Sequence, residues 1–228
     1  MEKFIKKGQI IVGLDFDNLQ SALEITKLLN PESYKVKVGN QLFTACGPQI
    51  LEDLKIQGFD IFLDLKLHDI PNTVKKSIEG LTSLPIKMLT IHTSGGKDMM
   101  VAAMEAVSGT DIKVFGVTVL TSLNDDDTTV IFKRTSSEQV EAMLDEAESA
   151  GIDGVVCSPY ELELVSKRKS LLSITPGIRL KNSNDDQKRV MTPIEALDLG
   201  TDFLVIGRPV TTSEDIKKSF EEIYQSIQ

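Results

Sequence analysis

The segment FLDLKLHDIPNTV (residues 62–74) joins an apolar, strand-like run to a group of charges and then to a weaker helical pattern. Its first part belongs to the run DIFLDLKL (60–67), in which apolar residues are nearly continuous rather than alternating. Such runs are typical of parallel strands that are covered on both faces. Because unpaired charges are costly to bury, the strand end that carries Asp64 and Lys66, followed by Asp69, requires a functional or structural explanation.

Seven further runs of the same kind recur along the chain, and helix-like segments lie between them. The eight runs are QIIVGLDF (9–16), YKVKVG (34–39), DIFLDLKL (60–67), KMLTIHT (87–93), IKVFGVTVL (112–120), IDGVVCS (152–158), SLLSITPG (170–177) and DFLVIGR (202–208). Eight βα units in one chain of this length predict an α/β fold, specifically a (β/α)8 TIM barrel. No linker or change of composition divides the chain, so we expect a single domain over residues 1–228.

The helix-like segments have start and stop signals. One begins at a capping Asn18, another ends at Gly151, and a third runs from a capping Thr192 to Gly200. No G-x-G-x-x-G motif follows the first strand, which weakens the alternative of an open dinucleotide-binding sheet.

Composition restricts the class of protein and its partners. The chain has 228 residues, 41% of them hydrophobic, and a formal net charge of −9, which argues against nucleic-acid and anionic-membrane partners. Cys46 and Cys157 lie far apart without a C-x-x-C spacing, as expected for reduced thiols. No signal peptide or membrane-spanning run is evident, so the sequence predicts a cytoplasmic protein.

In a (β/α)8 barrel the functional groups lie at the C-terminal ends of the strands. Asp64 and Lys66 are two residues apart, a spacing that places both side chains on one face of a regular strand. Lys37 on the neighbouring strand can reach the same place. Two interpretations remain open at this point: an ion-pair network that closes the barrel, or a cluster that keeps Lys66 protonated as a proton donor.

A metal site is a competing interpretation, because Asp64, His68, Asp69 and His92 offer oxygen and nitrogen ligands. The neighbouring lysines count against it, since they would repel a cation. No Ser/His/Asp or Cys/His order suggests covalent catalysis.

The ends of strands 7 and 8 favour a phosphate site. Gly177 and Gly207 allow backbone N–H groups to approach an anion, and Arg179 and Arg208 add bidentate donors. A helix that begins near 212–213 would direct its positive end towards the same place. The alternative is a pair of glycine turns with solvated arginines.

Taken together, these motifs resemble the orotidine 5′-phosphate decarboxylase family, in particular its shorter bacterial branch. The resemblance covers nearly the whole chain. Besides the D-x-K-x-x-D signature in residues 62–74, it rests on LDF (14–16), VKVG (36–39), VTVLTS (117–122), TPGIR (175–179), DQKRVMTP (186–193) and VIGRPVT (205–211).

The resemblance implies decarboxylation of orotidine 5′-phosphate to UMP in pyrimidine biosynthesis, without a cofactor or metal. Lys66 would donate the proton to C6, and Asp64 would lie against the departing carboxylate. Lys37 and Asp69 would complete the charged array. Since Asp69 reaches the neighbouring subunit's site in this family, a homodimer with shared active sites is implied.

The resemblance also implies the substrate contacts. Asp15 and Lys37 would hold the ribose hydroxyls, Thr73 would assist from across the dimer, and Thr121 would contact the pyrimidine edge. The phosphate would be held by Arg179, Gln187, Gly207 and Arg208.

Two rival functions remain. Sugar-phosphate decarboxylases of the same superfamily share the acid–lysine signature but use Mg2+, and the threonine in VLTS (119–122) favours orotidylate over them. A phosphoribosyl-binding barrel without activity is the other, and the complete set of Lys37, Asp64, Lys66 and Asp69 argues against it.

Overall fold

Eight parallel strands close into a barrel in which each strand pairs with its neighbours in the chain and the last pairs with the first. The computed structural model describes residues 8–179, 191–211, 213 and 215–225. Within these residues the strands are β1 (Ile10–Gly13), β2 (Tyr34–Gly39), β3 (Ile61–Leu67), β4 (Met88–His92), β5 (Lys113–Val117), β6 (Gly154–Val156), β7 (Leu172–Thr175) and β8 (Phe203–Ile206). The (β/α)8 architecture predicted from the eight apolar runs is confirmed.

Helices connect the strands and cover the outside of the barrel. In the described part of the chain they are α1 (Leu19–Thr26), α2 (Asn40–Cys46), α3 (Gln49–Ile56), α4 (Pro71–Leu81), α5 (Lys97–Ala106), α6 (Asp125–Phe132), α7 (Ser136–Ala150), α8 (Leu162–Val165), α9 (Pro193–Asp198), α10 (Arg208–Thr211) and α11 (Ile216–Gln225). None of these described helices has the length and apolar character needed to cross a lipid bilayer.

The core has two parts, and together they explain why the strands are apolar on both faces. One lies between the strands and the helices, and it includes Val36 and Leu63. The other fills the barrel interior with side chains from six strands: Ile11, Phe62, Met88, Phe115, Ile174 and Val205. The barrel is therefore packed in its middle, and a ligand can enter only at an end.

The predicted helix boundaries at Asn18, Thr192 and Gly151 are confirmed. The Asn18 side chain accepts a hydrogen bond from the Ser21 N–H, and Thr192 forms a capping box with Glu195. Gly151 ends α7 in the left-handed conformation, with φ of 71°, which glycine adopts without strain.

Four of the described helices, α2, α6, α8 and α10, were not predicted, and α8 and α10 have only four residues each, too few to show a helical period. In α2 the one fully buried residue is Leu42, so the helical period of apolar residues is weak. In α6 the side chains of Val130 and Ile131 are 71% and 57% exposed, which obscures an amphipathic pattern. This helix depends on its Asn124 capping box instead.

Candidate active site

A cavity of about 230 Å³ opens at the C-terminal ends of the strands. Its apolar wall includes Phe62, Val156, Pro176 and Val205. Eight of the predicted site residues also line it: Asp15, Lys37, Asp64, Lys66, Thr121, Arg179, Gly207 and Arg208. Residues from distant parts of the chain thus meet in one pocket that is lined by both apolar and charged side chains, as small-molecule sites generally are.

Four side chains form a row of alternating charge, which we call the charged array: Asp15 just after β1, Lys37 on β2, and Asp64 and Lys66 on β3. The Lys66 Nζ lies 2.8 Å from Asp64 Oδ1, and the Lys37 Nζ lies 3.5 Å from Asp64 Oδ2. Lys37 Nζ also donates a hydrogen bond to Asp15 Oδ1 at 3.2 Å. Asp64, whose side chain is 10% exposed, therefore lies between two ammonium groups.

These contacts keep the inner members of the charged array ionised. Burial alone would raise the pKa of Asp64, but the charges of Lys37 and Lys66 and hydrogen bonds from Lys66 and Thr90 hold it below its usual value. Burial alone would lower the pKa of Lys37, but Asp64 and Asp15 outweigh that effect and raise it. Both groups are therefore charged at neutral pH.

The strand β3 does not continue regularly to Lys66. Between Leu63 and Leu67 it advances four residues, while β4 advances two, from Leu89 to Ile91. Within this irregularity Lys66 has a φ of 52°, in the left-handed region that non-glycine residues rarely adopt. The prediction that Asp64 and Lys66 approach each other is correct, but the regular strand alternation given as its reason is wrong, because a bulge orients Lys66.

Thr90 on β4 was missed by the sequence reasoning. Its side chain is buried, and its Oγ1 accepts a hydrogen bond from the Lys66 backbone N–H at 2.9 Å. The same hydroxyl donates to Asp64 Oδ1 at 2.9 Å. The available signal was a lone hydroxyl residue in the apolar run KMLTIHT (87–93), one position beyond the Leu63–Leu89 pair and therefore beside Asp64.

Two predicted residues, Asp69 and Thr73, do not line the cavity of this chain, and the position of a third is not described. Asp69 and Thr73 are exposed, and Asp69 Oδ1 accepts a hydrogen bond from the Ile70 N–H at 2.7 Å. Gln187 lies outside the described residues. A single chain thus supplies three of the four charged residues in the predicted catalytic set.

The two histidines lie against each other beside the charged array, with ring centroids 5.2 Å apart. Burial, His68 and Lys66 lower the pKa of His92, which therefore favours its neutral form. Within the described ranges no three His, Cys, Asp or Glu side chains are grouped so as to hold a metal ion. The set Asp64, His68, Asp69 and His92, considered as metal ligands, does not form such a group.

Three of the predicted phosphate residues, Arg179, Gly207 and Arg208, follow β7 and β8, on the side of the closed barrel away from β3. Arg179 is buried and its Nη1 donates to the Ile178 carbonyl at 3.0 Å, whereas Arg208 is exposed at the start of α10. Gly177 has a φ of 82°, and a Cβ at Gly207 would lie 3.2 Å from Asp15 Oδ2. Both glycines therefore suit a narrow wall that brings main chain close to a ligand.

The sequence model described as "Orotidine 5′-phosphate decarboxylase / HUMPS family" matches residues 8–223. Among curated proteins, orotidine 5′-phosphate decarboxylase of Saccharophagus degradans is 45% identical over 225 residues, covering 96% of this chain and 94% of that protein. The enzyme of the same name from Ehrlichia canis is 44% identical, covering 96% of this chain and 97% of its own length.

The fold of this chain is also similar to the folds of solved structures. Orotidine 5′-phosphate decarboxylase from Lactobacillus acidophilus superposes with a TM-score of 0.84 at 34% identity, covering 98% of this chain and all of that one. An uncharacterized conserved protein from Geobacillus kaustophilus gives a TM-score of 0.81 at 33% identity, covering 96% of this chain.

Proposed function

Because the chain belongs to the orotidine 5′-phosphate decarboxylase / HUMPS family, we propose that it converts orotidine 5′-phosphate to UMP and CO2. The observation that carries the proposal is the placement of Lys66 and Asp64 at the mouth of a cavity whose far wall holds two arginines. One ligand can then place its carboxylate beside the Lys66 ammonium group and its phosphate beside the two arginines. The proposed role of the protein in the cell is a step of cytoplasmic pyrimidine biosynthesis, performed by one domain that spans the whole chain, 1–228.

The proposed chemistry begins with cleavage of the bond between C6 and the carboxylate carbon. The bonding electron pair stays on C6, in an in-plane orbital that the ring π system does not delocalise. A prepositioned ammonium group at Lys66 stabilises this charge and then transfers a proton from Nζ to C6. The charged array supports this assignment, because the contact with Asp64 Oδ1 at 2.8 Å holds the Lys66 Nζ in place at the cavity.

The remaining members of the charged array act on the substrate around C6. Asp64 lies against the departing carboxylate, and Lys37 with Asp15 holds the ribose hydroxyls. Thr121, on the cavity wall after β5, contacts the pyrimidine edge. Arg179, Gly207 and Arg208 hold the phosphate, together with Gln187. Binding energy from the distant phosphate then contributes to positioning C6 against Lys66.

We propose a homodimer that completes each cavity. The exposed Asp69 and Thr73 flank Ile70, whose side chain is 67% exposed, and this segment follows β3 at the open end of the barrel. In a symmetric dimer it would reach the partner's cavity. The test is to mix the Lys66→Ala and Asp69→Asn variants. In each mixed dimer, one of the two sites then contains both wild-type residues and the other contains neither. With random pairing of subunits, about a quarter of all sites in the mixture are therefore wild type. Absence of any recovery, with mixed dimers verified by mass, contradicts shared sites.

We propose that the reaction needs no metal, because the lysines on either side of Asp64 would repel a cation from it. The test is a spectrophotometric assay with orotidine 5′-phosphate after EDTA treatment. The expected result is loss of substrate absorbance, UMP as the product and no stimulation by added Mg2+. Absence of UMP formation, or turnover only with Mg2+, contradicts the proposal, and the second result favours the Mg2+-dependent sugar-phosphate decarboxylases.

A further inference from the structure

The bulge in β3 leaves a backbone group that the strand ladder does not satisfy. Where β3 advances four residues against two on β4, the Lys66 N–H cannot take a regular position in the ladder. It donates instead to the Thr90 hydroxyl at 2.9 Å. This hydrogen bond is partly buried, and an N–H that is shielded from water is costly to leave without a partner, so the Thr90 acceptor helps the bulge to persist.

The same hydroxyl also determines where the Asp64 carboxylate lies. Thr90 Oγ1 donates its proton to Asp64 Oδ1 at 2.9 Å, and the Lys66 Nζ binds that same oxygen at 2.8 Å. The Thr90 hydroxyl has one proton, which it donates to Asp64 while it accepts a hydrogen bond from the Lys66 N–H. These two hydrogen bonds together fix the hydroxyl in one orientation. Thr90 is 1% exposed, so water does not readily replace it.

We propose that Thr90 is a positioning residue for the decarboxylation: its hydroxyl fixes the left-handed backbone at Lys66 and the carboxylate of Asp64 in one geometry. This inference rests on the proposed function, because it assigns Thr90 to the reaction in which Lys66 donates a proton. Thr90 does not line the cavity. It acts through the two residues that do, and small errors in the position of such groups are costly to turnover.

Three substitutions separate the hydroxyl from the shape of the side chain. Thr90→Val keeps the shape and removes the hydroxyl, Thr90→Ala removes both without crowding, and Thr90→Ser keeps the hydroxyl. For Thr90→Val and Thr90→Ala we expect kcat for orotidine 5′-phosphate to fall about 10- to 100-fold, as loss of a buried hydrogen bond implies. KM and the affinity for UMP should change less than about threefold, and Thr90→Ser should retain kcat within about threefold, because the interaction lost is not a substrate contact.

A second measurement does not depend on the substrate. Hydrogen exchange of the Lys66 backbone amide, followed by NMR in the ligand-free protein, should be at least about tenfold faster in Thr90→Val than in wild type or Thr90→Ser. Unchanged exchange in Thr90→Val, or equal loss of kcat in Thr90→Ser and Thr90→Val, overturns the proposal. So does a loss confined to KM.

The two measurements also separate this inference from the proposed function. If wild type does not convert orotidine 5′-phosphate, the proposed function fails, and with it the catalytic part of the role assigned to Thr90. The exchange rates still decide whether Thr90 holds the bulge. If wild type is active and Thr90→Val and Thr90→Ala retain kcat within about twofold, only the Thr90 inference fails.

Discussion

The backbone conformation of Lys66 leads to a prediction about the stability of the folded protein, which can be tested without substrate. Its φ of 52° lies in the left-handed region, where a Cβ is disfavoured and glycine is not. Lys66→Ala and Lys66→Gly both remove the ammonium group and its contact with Asp64. They differ in the Cβ alone, so their comparison measures the strain at this position.

The expected difference follows from two opposing contributions. A non-glycine residue in the left-handed region costs about 1–2 kcal/mol. Glycine loses about 0.4–1 kcal/mol more than alanine through the greater freedom of its unfolded chain. The balance favours Lys66→Gly over Lys66→Ala by about 1 kcal/mol, which for a chain of this length corresponds to a Tm difference of roughly 2–4 °C.

Urea unfolding followed by circular dichroism measures this difference, provided that both variants give the same m-value. Lys35 supplies the matched control, because it lies in the regular strand β2 and is not a positive-φ residue. There the order should reverse, with Lys35→Ala more stable than Lys35→Gly by about 0.5–1 kcal/mol. A Lys66→Ala variant as stable as Lys66→Gly would refute the claim that this backbone is strained.

Three further predictions address other parts of the site. A Cβ at Gly39 would lie 3.0 Å from the Lys37 Nζ. Gly39→Ala should therefore displace the Lys37 ammonium group and lower kcat roughly 10- to 100-fold. Full activity of this variant in steady-state assays would show that the position of Lys37 is not critical. Arg208→Ala should raise KM and lower kcat for orotidine 5′-phosphate, since phosphate binding contributes to both, and a change confined to thermal stability would contradict a phosphate role. Burial, His68 and Lys66 lower the pKa of His92 in the folded protein. Below about pH 6.5 the His92 imidazole therefore binds a proton more readily in the unfolded chain than in the folded protein, and the stability of the folded protein falls. Urea midpoints should therefore decline less between pH 7 and pH 5 in His92→Asn than in wild type, and equal declines would contradict this assignment.

The sequence was sufficient to predict the fold and most of the cavity, because each depends on residues at strand ends. Apolar runs covered on both faces specified the barrel. In a barrel, strand ends converge, so Asp15 on the first unit and Arg208 on the last could be placed in one pocket without knowing any distance.

The parts that could not be predicted depend on local backbone geometry. Nothing in the letters of 62–74 shows that β3 bulges, since Lys66 is not a glycine and the apolar pattern continues through Leu67. If the bulge is not known, no unsatisfied Lys66 N–H is expected near Thr90, and Thr90 cannot be distinguished from an ordinary strand threonine. The exposure of Asp69 likewise follows from the direction in which the chain leaves β3.

The role proposed for Lys66, action on a substrate carboxylated at C6, is tested by the turnover of orotidine 5′-phosphate by Lys66→Ala. Formation of UMP by equal amounts of folded wild type and Lys66→Ala should be followed in EDTA-treated buffer. We predict robust turnover by wild type and a loss on the order of 10³-fold or more in the variant, because both proton donation and charge stabilisation disappear. A folded Lys66→Ala variant with turnover within about tenfold of wild type would contradict the proton-donor role of Lys66.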